Sequence, residues 1–397
     1  MHGTVPTRRV RVFALVSRNL DSVGYRGRFA AGLEPDESPY GFHLAEKFGF
    51  DLTFSRAASG RPVSELLHRV VARICGFDVL HAWKNRKALN DCDVIWTMSE
   101  RDWLAVAALQ RLGVVKPTPL IANSIWLFDR WPKLSAIRRA ILRNLARVPQ
   151  VCAVHSAGSL SVARRVLPES VKTRLIPFGI ALSTFQIEEP RLPGPRGRPL
   201  KILSIGNDRT RDWNTLLAAV GNDPGFEVRI ICRWLPKDLD GRYGNVTIER
   251  QMAPFDFGRI YHEADLTIVT LSRNVFSGIT VILESVATGT PVVASRTGGG
   301  PTYFAEDEVT FVEPGDPAAL KRALLDTSRE EFAERARRAQ ARFKSEDYST
   351  AGMVGRYAAK TEAVLRLQRR EMATATGGRA QLASTHPRSP AVAHPAA

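Results

Sequence analysis

The segment Ser277-Gly278-Ile279-Thr280 places a glycine where a loop enters a helix, and Glu284 stands four residues further on. Val281, Ile282, Leu283, Val286 and Ala287 supply the apolar face of that helix, and Gly289 stops it. Free N–H groups at such an entrance attract phosphate, and the glycine lets a ligand approach the backbone. Thr280 and Glu284 share one helix face, so a carboxylate one turn above bound phosphates can accept hydrogen bonds from a ribose diol. The spacing describes a nucleoside-diphosphate pocket. Ser277 can either donate to phosphate or cap the helix. Earlier in the chain, Arg209 and Arg211 follow the strand-like Leu203-Ser204-Ile205-Gly206. They can set fixed positive charge against the same phosphates.

The elements that must hold these residues alternate in type. Val10–Val16 reads as a strand and leads into a loop with Gly24 and Gly27, which either closes under the diphosphate or is a surface turn. Residues 51–54, 94–98, 119–122 and 151–154 read as further buried strands, with helical patterns between them over 63–74, 102–112 and 159–166. A Pro- and Gly-rich linker occupies 186–199, and a second alternating series begins at Leu200. The fold class is therefore α/β: two doubly wound Rossmann-like domains, residues 1–185 and 200–350, that face a cleft where a ligand lies at the strand carboxyl ends. Helical sequence over 351–371 follows, and the tail 372–397 lacks apolar periodicity and is expected to be disordered. In the first domain Asn123, Ser124 and His155 fall near strand ends, where an acceptor-side polar group could sit.

A chain of 397 residues suits two domains, and 44% hydrophobic content marks a folded protein. Cys75, Cys92, Cys152 and Cys232 lack metal-ligand spacing and read as buried thiols in a reducing, cytoplasmic compartment. No apolar run is long enough to span a bilayer, and Val10–Val16 is too short for a signal peptide. The net charge of +16 calls for an anionic partner. No aromatic and basic interleaving suggests nucleic acid. Arg138, Arg139, Arg143 and Arg147 flank a stripe of Leu134, Ile137, Ile141, Leu142 and Leu145 that either packs on the first sheet or lies on an anionic membrane face. Asp91-Cys92-Asp93 and Asp238-Leu239-Asp240 spell DxD but precede a strand or sit in a turn, so they are read as turns and caps, not metal ligands.

The Glu284 helix, with Gly289-Thr290-Pro291-Val292-Val293 and the Gly298-Gly299 turn, resembles the donor-binding region of GT-B glycosyltransferases, specifically retaining family 4. Leu175-Ile176-Pro177-Phe178-Gly179-Ile180 with Phe185 is similar to the family's interdomain junction, although Ala181 replaces its usual aspartate. Leu203 to Trp213 and Gly315-Asp316-Pro317 with Leu320 also resemble family segments. The family has two glutamates; Glu284 matches the second, while Phe276 occupies the place of the first, which is associated with the transferred sugar.

The resemblance implies transfer of a sugar from a nucleotide-sugar co-substrate to a glycan or lipid-linked acceptor, with retention, without metal and without a separate cofactor. It assigns Gly206, Arg209, Arg211, Ser277, Gly278, Ile279, Thr280 and Glu284 to the donor, makes residues 1–185 the acceptor half, and sends the helix of 351–371 back to that half. It names no nucleophile. A nucleotide-sugar 2-epimerase of the same architecture, or an inactive nucleotide-sugar or nucleic-acid binding protein, remains a competing reading.

Overall fold

The computed structural model describes residues 8–20, 22–57, 62–194 and 197–384. Two six-stranded parallel sheets organise them. The first is built from β1 (Val10–Leu15), β2 (Phe50–Phe54), β3 (Val94–Thr97), β4 (Leu120–Ser124), β5 (Val151–Val154) and β6 (Thr173–Leu175), in the order β2-β1-β3-β4-β5-β6. The second is built from β7 (Leu200–Ile205), β8 (Phe226–Ile231), β9 (Val246–Glu249), β10 (Leu266–Val269), β11 (Val292–Ser295) and β12 (Thr310–Val312), in the order β12-β11-β10-β7-β8-β9. Residues 94–97, 120–124, 151–154, 266–269 and 292–295 are buried throughout, as central strands of a sheet covered on both faces must be.

Chain direction away from the first strand reverses once in each sheet. In the second sheet β7 and β10 are neighbours (Leu266 opposite Ile202), so the loops that follow them meet at the switch point, where open α/β sheets take ligands. The helices that bear on function are α1 (Ser22–Ala30), α2 (Pro62–Cys75), α3 (Glu100–Arg111), α4 (Ala136–Leu145), α5 (Trp213–Val220), α6 (Ile279–Ala287) and α7 (Thr350–Ser384).

The first domain is completed by the last helix. Tyr357 of α7 stacks with Phe42 and Trp96 at centroid distances of 5.5 and 5.4 Å, and Trp96 Nε1 donates to Thr361 Oγ1 at 2.9 Å. The return crossing lies beside the outward one: Ile180 N donates to Tyr348 O (3.1 Å) and Thr350 N to Ile180 O (2.8 Å). The segment 186–194 is strapped to the second domain, where the Arg191 guanidinium reaches the carbonyls of Tyr261 and His262.

Three expectations are revised. Gly24 and Gly27 lie inside α1, not in a loop, because Tyr25 buries itself against the domain and anchors the turn; a Cβ at Gly27 would meet only open space. The last helix continues past residue 371 to Ser384, since 372–384 contains no proline; residues 385–397 lie outside the described residues. Cys75 is exposed, whereas Cys92, Cys152 and Cys232 are buried thiols.

Candidate functional site: a polar cluster at the second switch point

The loop after β7 folds back on the loop after β10. Arg211 pairs with Leu271 in an isolated antiparallel bridge, Asp212 N donates to Thr270 O (3.0 Å) and Ser272 N to Thr210 O (2.8 Å). Asp212 then caps α5 through Thr215 N at 3.1 Å. These bonds fix the backbone of Arg211 and turn its side chain inward, where only 4% of it is exposed. Its Nε lies 3.2 Å from Asp208 Oδ2, and its Nη1 has no hydrogen-bond partner among the described residues. The guanidinium passes directly over Gly206, in the space a Cβ there would occupy. Gly206 is thus a clearance for Arg211.

Asp208 is held by Thr210, whose N–H and hydroxyl donate to Oδ1 at 2.9 and 2.5 Å. Burial opposes its charge, but Arg211 and the Thr210 bonds outweigh burial and keep the carboxyl below its usual range. Arg209 has an exposed side chain at the mouth of a cavity of about 580 Å³ that Arg211, Trp213 and Leu235 also line.

The start of α6 faces the same cluster. Gly278 precedes it with φ 90, a left-handed conformation that suits glycine, and a Cβ there would meet Leu271 at 2.9 Å. No side chain caps the helix, so its first N–H groups remain directed at the switch point. Ser277, which could have capped it, is instead 2% exposed beside Asp208. Asn274 Oδ1 accepts from the N–H groups of Phe276 and Ser277 at 3.0 and 2.7 Å and shapes this entrance, and Gly299 N donates to Ser277 O at 2.9 Å. Ile279 is packed in the core and Thr280 is exposed.

Glu284, one turn on, accepts from Tyr261 Oη at 2.5 Å. Burial pushes its carboxyl up to about 7, opposed by the Tyr261 bond and the Arg211 charge. Arg211, Asp208, Tyr261 and Glu284 therefore form one electrostatic unit. Sequence reasoning found Arg211 and Glu284 but not Tyr261 or Asp208. Tyr261 belongs to no motif and arrives from a separate short helix, Arg259–His262; Asp208 stands three residues before Arg211, a spacing that could have marked it as a partner.

The acceptor-side candidates face inward. His155 and Asn123 are fully buried: Asn123 Nδ2 lies 2.6 Å from His155 Nε2, whose Nδ1 is 2.7 Å from Ile176 O. Burial lowers the His155 imidazole to about 4, which keeps it neutral. Ser124 Oγ accepts from Trp103 Nε1 at 3.1 Å. Asn123 Oδ1 has no hydrogen-bond partner among the described residues, and the three side chains are otherwise bonded within their own domain. Phe276 lies beside them, its ring 5.4 Å from Trp126 and 6.2 Å from His155. Next to it Val275 N donates to Asp129 Oδ1 at 2.8 Å and Val275 O accepts from Ser156, so the two domains touch at this loop.

One aspartate of each DxD segment is held by arginine. Asp93 accepts from Arg8 (2.6 Å) and Arg11 N (2.8 Å), and Asp240 pairs with Arg250 at 2.9 Å. Among the described residues no three His, Cys, Asp or Glu side chains converge as metal ligands.

Comparison with known proteins bears on both fold and site. Residues 207–330 match the family model "Glycosyl transferases group 1". Comparison with curated protein sequences finds no match. Among solved structures, a sucrose-phosphate synthase from Thermosynechococcus elongatus superposes with a TM-score of 0.69 at 18% identity, covering 90% of this chain and 100% of that one. HepE of Anabaena, solved with UDP and glucose, gives 0.61 at 14% identity, with 90% and 100% covered. A trehalose 6-phosphate synthase from Burkholderia multivorans gives 0.62 at 14% identity, with 91% and 100% covered. The chain has the GT-B fold of these structures, and the segment that matches the group 1 glycosyl transferase model contains Arg209, Arg211 and the whole α6 entrance.

Proposed function

We propose that this chain transfers a sugar from a UDP-linked donor to a glycan or lipid-linked acceptor, with retention of anomeric configuration and with arginine in place of a metal at the diphosphate. The observation that carries this reading is Arg211: a buried guanidinium with an unpartnered nitrogen, paired with Asp208, which lies beside Ser277 at an uncapped helix start. As the bond from anomeric carbon to diphosphate stretches, negative charge grows on the leaving group. Arg211 and the first N–H groups of α6 meet that charge in a site where water screens it little. Arg209, at the cavity mouth, meets the incoming donor. Glu284 accepts the ribose hydroxyls, and Tyr261 orients its carboxylate.

Departure of the diphosphate on the face where the acceptor arrives lets a phosphate oxygen take the acceptor proton, so no protein nucleophile is required. Phe276 cannot accept hydrogen bonds from sugar hydroxyls, and its ring with Trp126 gives that end of the site an apolar wall. UDP is the nucleotide favoured because HepE, on the same fold, was solved with UDP and with UDP-glucose.

A thermal-shift panel of UDP, GDP, ADP and TDP, with and without magnesium, tests the reading. A ligand at a hundred times its Kd adds about 2.7 kcal/mol of stability. UDP is expected to raise the melting temperature without magnesium, and the other nucleotides less. A requirement for magnesium would overturn the arginine-based site, and no response to any nucleotide would overturn the donor assignment.

A further inference from the structure

The sequence stripe on α4 is only half covered in the structure. Leu142 and Leu145 are in the core, but Ile137 and Ile141 are 75% and 50% exposed. Helix α2 shows the same pattern, with Leu66, Val70 and Ile74 exposed at four-residue spacing along one face. Five of the seventeen exposed large hydrophobic residues among those described thus lie on these two helices. A groove of about 250 Å³ is lined by Cys75 at the end of α2 and by Arg138, Ile141 and Leu142 of α4, together with Phe77 and Leu134.

Arginines surround this apolar ridge. Arg101, Arg130 and Arg138 line the groove, and Arg73 stands in the last turn of α2. None of the four pairs with a carboxylate among the described residues. The one acid in the groove, Glu100, is occupied: its Oε2 accepts from the N–H groups of Ile125 and Trp126 at 3.0 and 3.3 Å. By contrast, Arg139 and Arg143 of α4 donate to the carbonyls of Pro132 and Val166, so they are bound to their own domain.

Two aliphatic rows framed by unpaired guanidinium groups match the boundary of an anionic bilayer, where apolar side chains enter the acyl region and arginines meet lipid phosphates. The rows carry no aromatic anchor of the kind that dominates protein interfaces. The net charge of +16 acts in the same direction. No described helix is long and apolar enough to cross a membrane, so attachment through this face is peripheral. We propose that the face formed by α2 and α4 docks the protein on an anionic lipid bilayer through Ile74, Ile137, Ile141, Arg101, Arg130 and Arg138. A lipid-linked acceptor would then be met at the surface on which it resides.

Co-sedimentation with vesicles of phosphatidylcholine alone, and of phosphatidylcholine mixed with phosphatidylglycerol, tests this. The wild type is expected to bind only the anionic vesicles. Arg130→Gln with Arg138→Gln should weaken that binding about thirty-fold, at the usual contribution of each basic residue near such a surface. Ile137→Gln with Ile141→Gln should abolish stable attachment. Both pairs should retain the wild-type melting temperature and its response to UDP, which separates failure here from failure of the donor reading. Absence of vesicle binding, or binding untouched by either pair, would overturn the proposal. So would self-association that the isoleucine substitutions remove, because the face would then belong to a second copy.

Discussion

Arg211→Ala is expected to weaken UDP binding between about ten-fold and a hundred-fold, the range for losing hydrogen bonds to a charged group. The side chain is 4% exposed and keeps its Nη1 unpartnered, so the free protein bears a desolvation cost that a phosphate relieves. Arg211→Lys keeps the charge but not the fork, and should recover only part of the affinity. Gly206→Ala provides a test that leaves every charge in place. Its Cβ would enter the space of the guanidinium, so Arg211 must move and UDP binding should fall with it. Arg209→Ala should cost less than either, because that side chain is exposed and has no hydrogen-bond or ion-pair partner among the described residues. Isothermal titration on folded variants decides the order, and a larger loss at Arg209 than at Arg211 would reverse the assignment. Arg211→Ala should also lower the melting temperature, since Asp208 loses its nearest cation.

The parts of this site that were legible in the sequence are those whose physics is local. The α6 entrance needs a glycine, a helix and a carboxylate one turn on, and all three are contiguous. Buried parallel strands announce themselves as apolar runs, and the linker as prolines and glycines. What was hidden depends on tertiary placement. Tyr261 reaches Glu284 across 23 residues of sequence. Which arginine is turned inward is decided by the Arg211–Leu271 bridge, and Gly206 acquires its meaning only from the side chain passing over it.

Tertiary context also explains the misread glycines. Gly24 and Gly27 each weaken a helix by about 1 kcal/mol relative to alanine, but Tyr25 is buried between them and Arg28 lies over its ring, 5.2 Å from the centroid. On α4 the periodicity marked the apolar stripe correctly, but it carries no information on how much of that stripe neighbouring elements cover. The uncovered half, Ile137 and Ile141, is the part with a consequence for function. His155 and Asn123 were placed correctly at strand ends, yet the direction in which they point is set by Met98, Ile176 and Phe178.

Glu284→Gln is expected to make the protein more stable at pH 8 and a weaker UDP-sugar binder at the same time. In the folded chain the Glu284 carboxyl titrates at about 7, against 4.5 for an unperturbed group, because burial outweighs Tyr261 and Arg211. Below pH 4.5 both folded and unfolded chains hold this proton, and the residue leaves stability unchanged. Between 4.5 and 7 the unfolded chain has released it and the folded chain has not, so stability falls as pH rises. Above 7 the full cost is present, about 3 kcal/mol for a shift of this size. Glutamine keeps an oxygen for the Tyr261 hydroxyl and never ionises. The melting temperatures of variant and wild type should therefore coincide near pH 4.5 and diverge upward to pH 8. A ribose diol donates to the ionised carboxylate, so UDP-glucose, whose phosphates do not titrate in this range, should bind the wild type more tightly at pH 8 than at pH 6. That pH dependence should vanish in the glutamine variant, together with about ten-fold or more of the affinity. A variant that gains stability but binds as before would place Glu284 in the scaffold. One that binds weakly without gaining stability would show that the carboxylate is already ionised and that Arg211 holds it more strongly than burial opposes it. A stabilised protein with an impaired site is the expected pairing under the proposed function, because a buried carboxylate that costs stability would then be the group that binds the ribose.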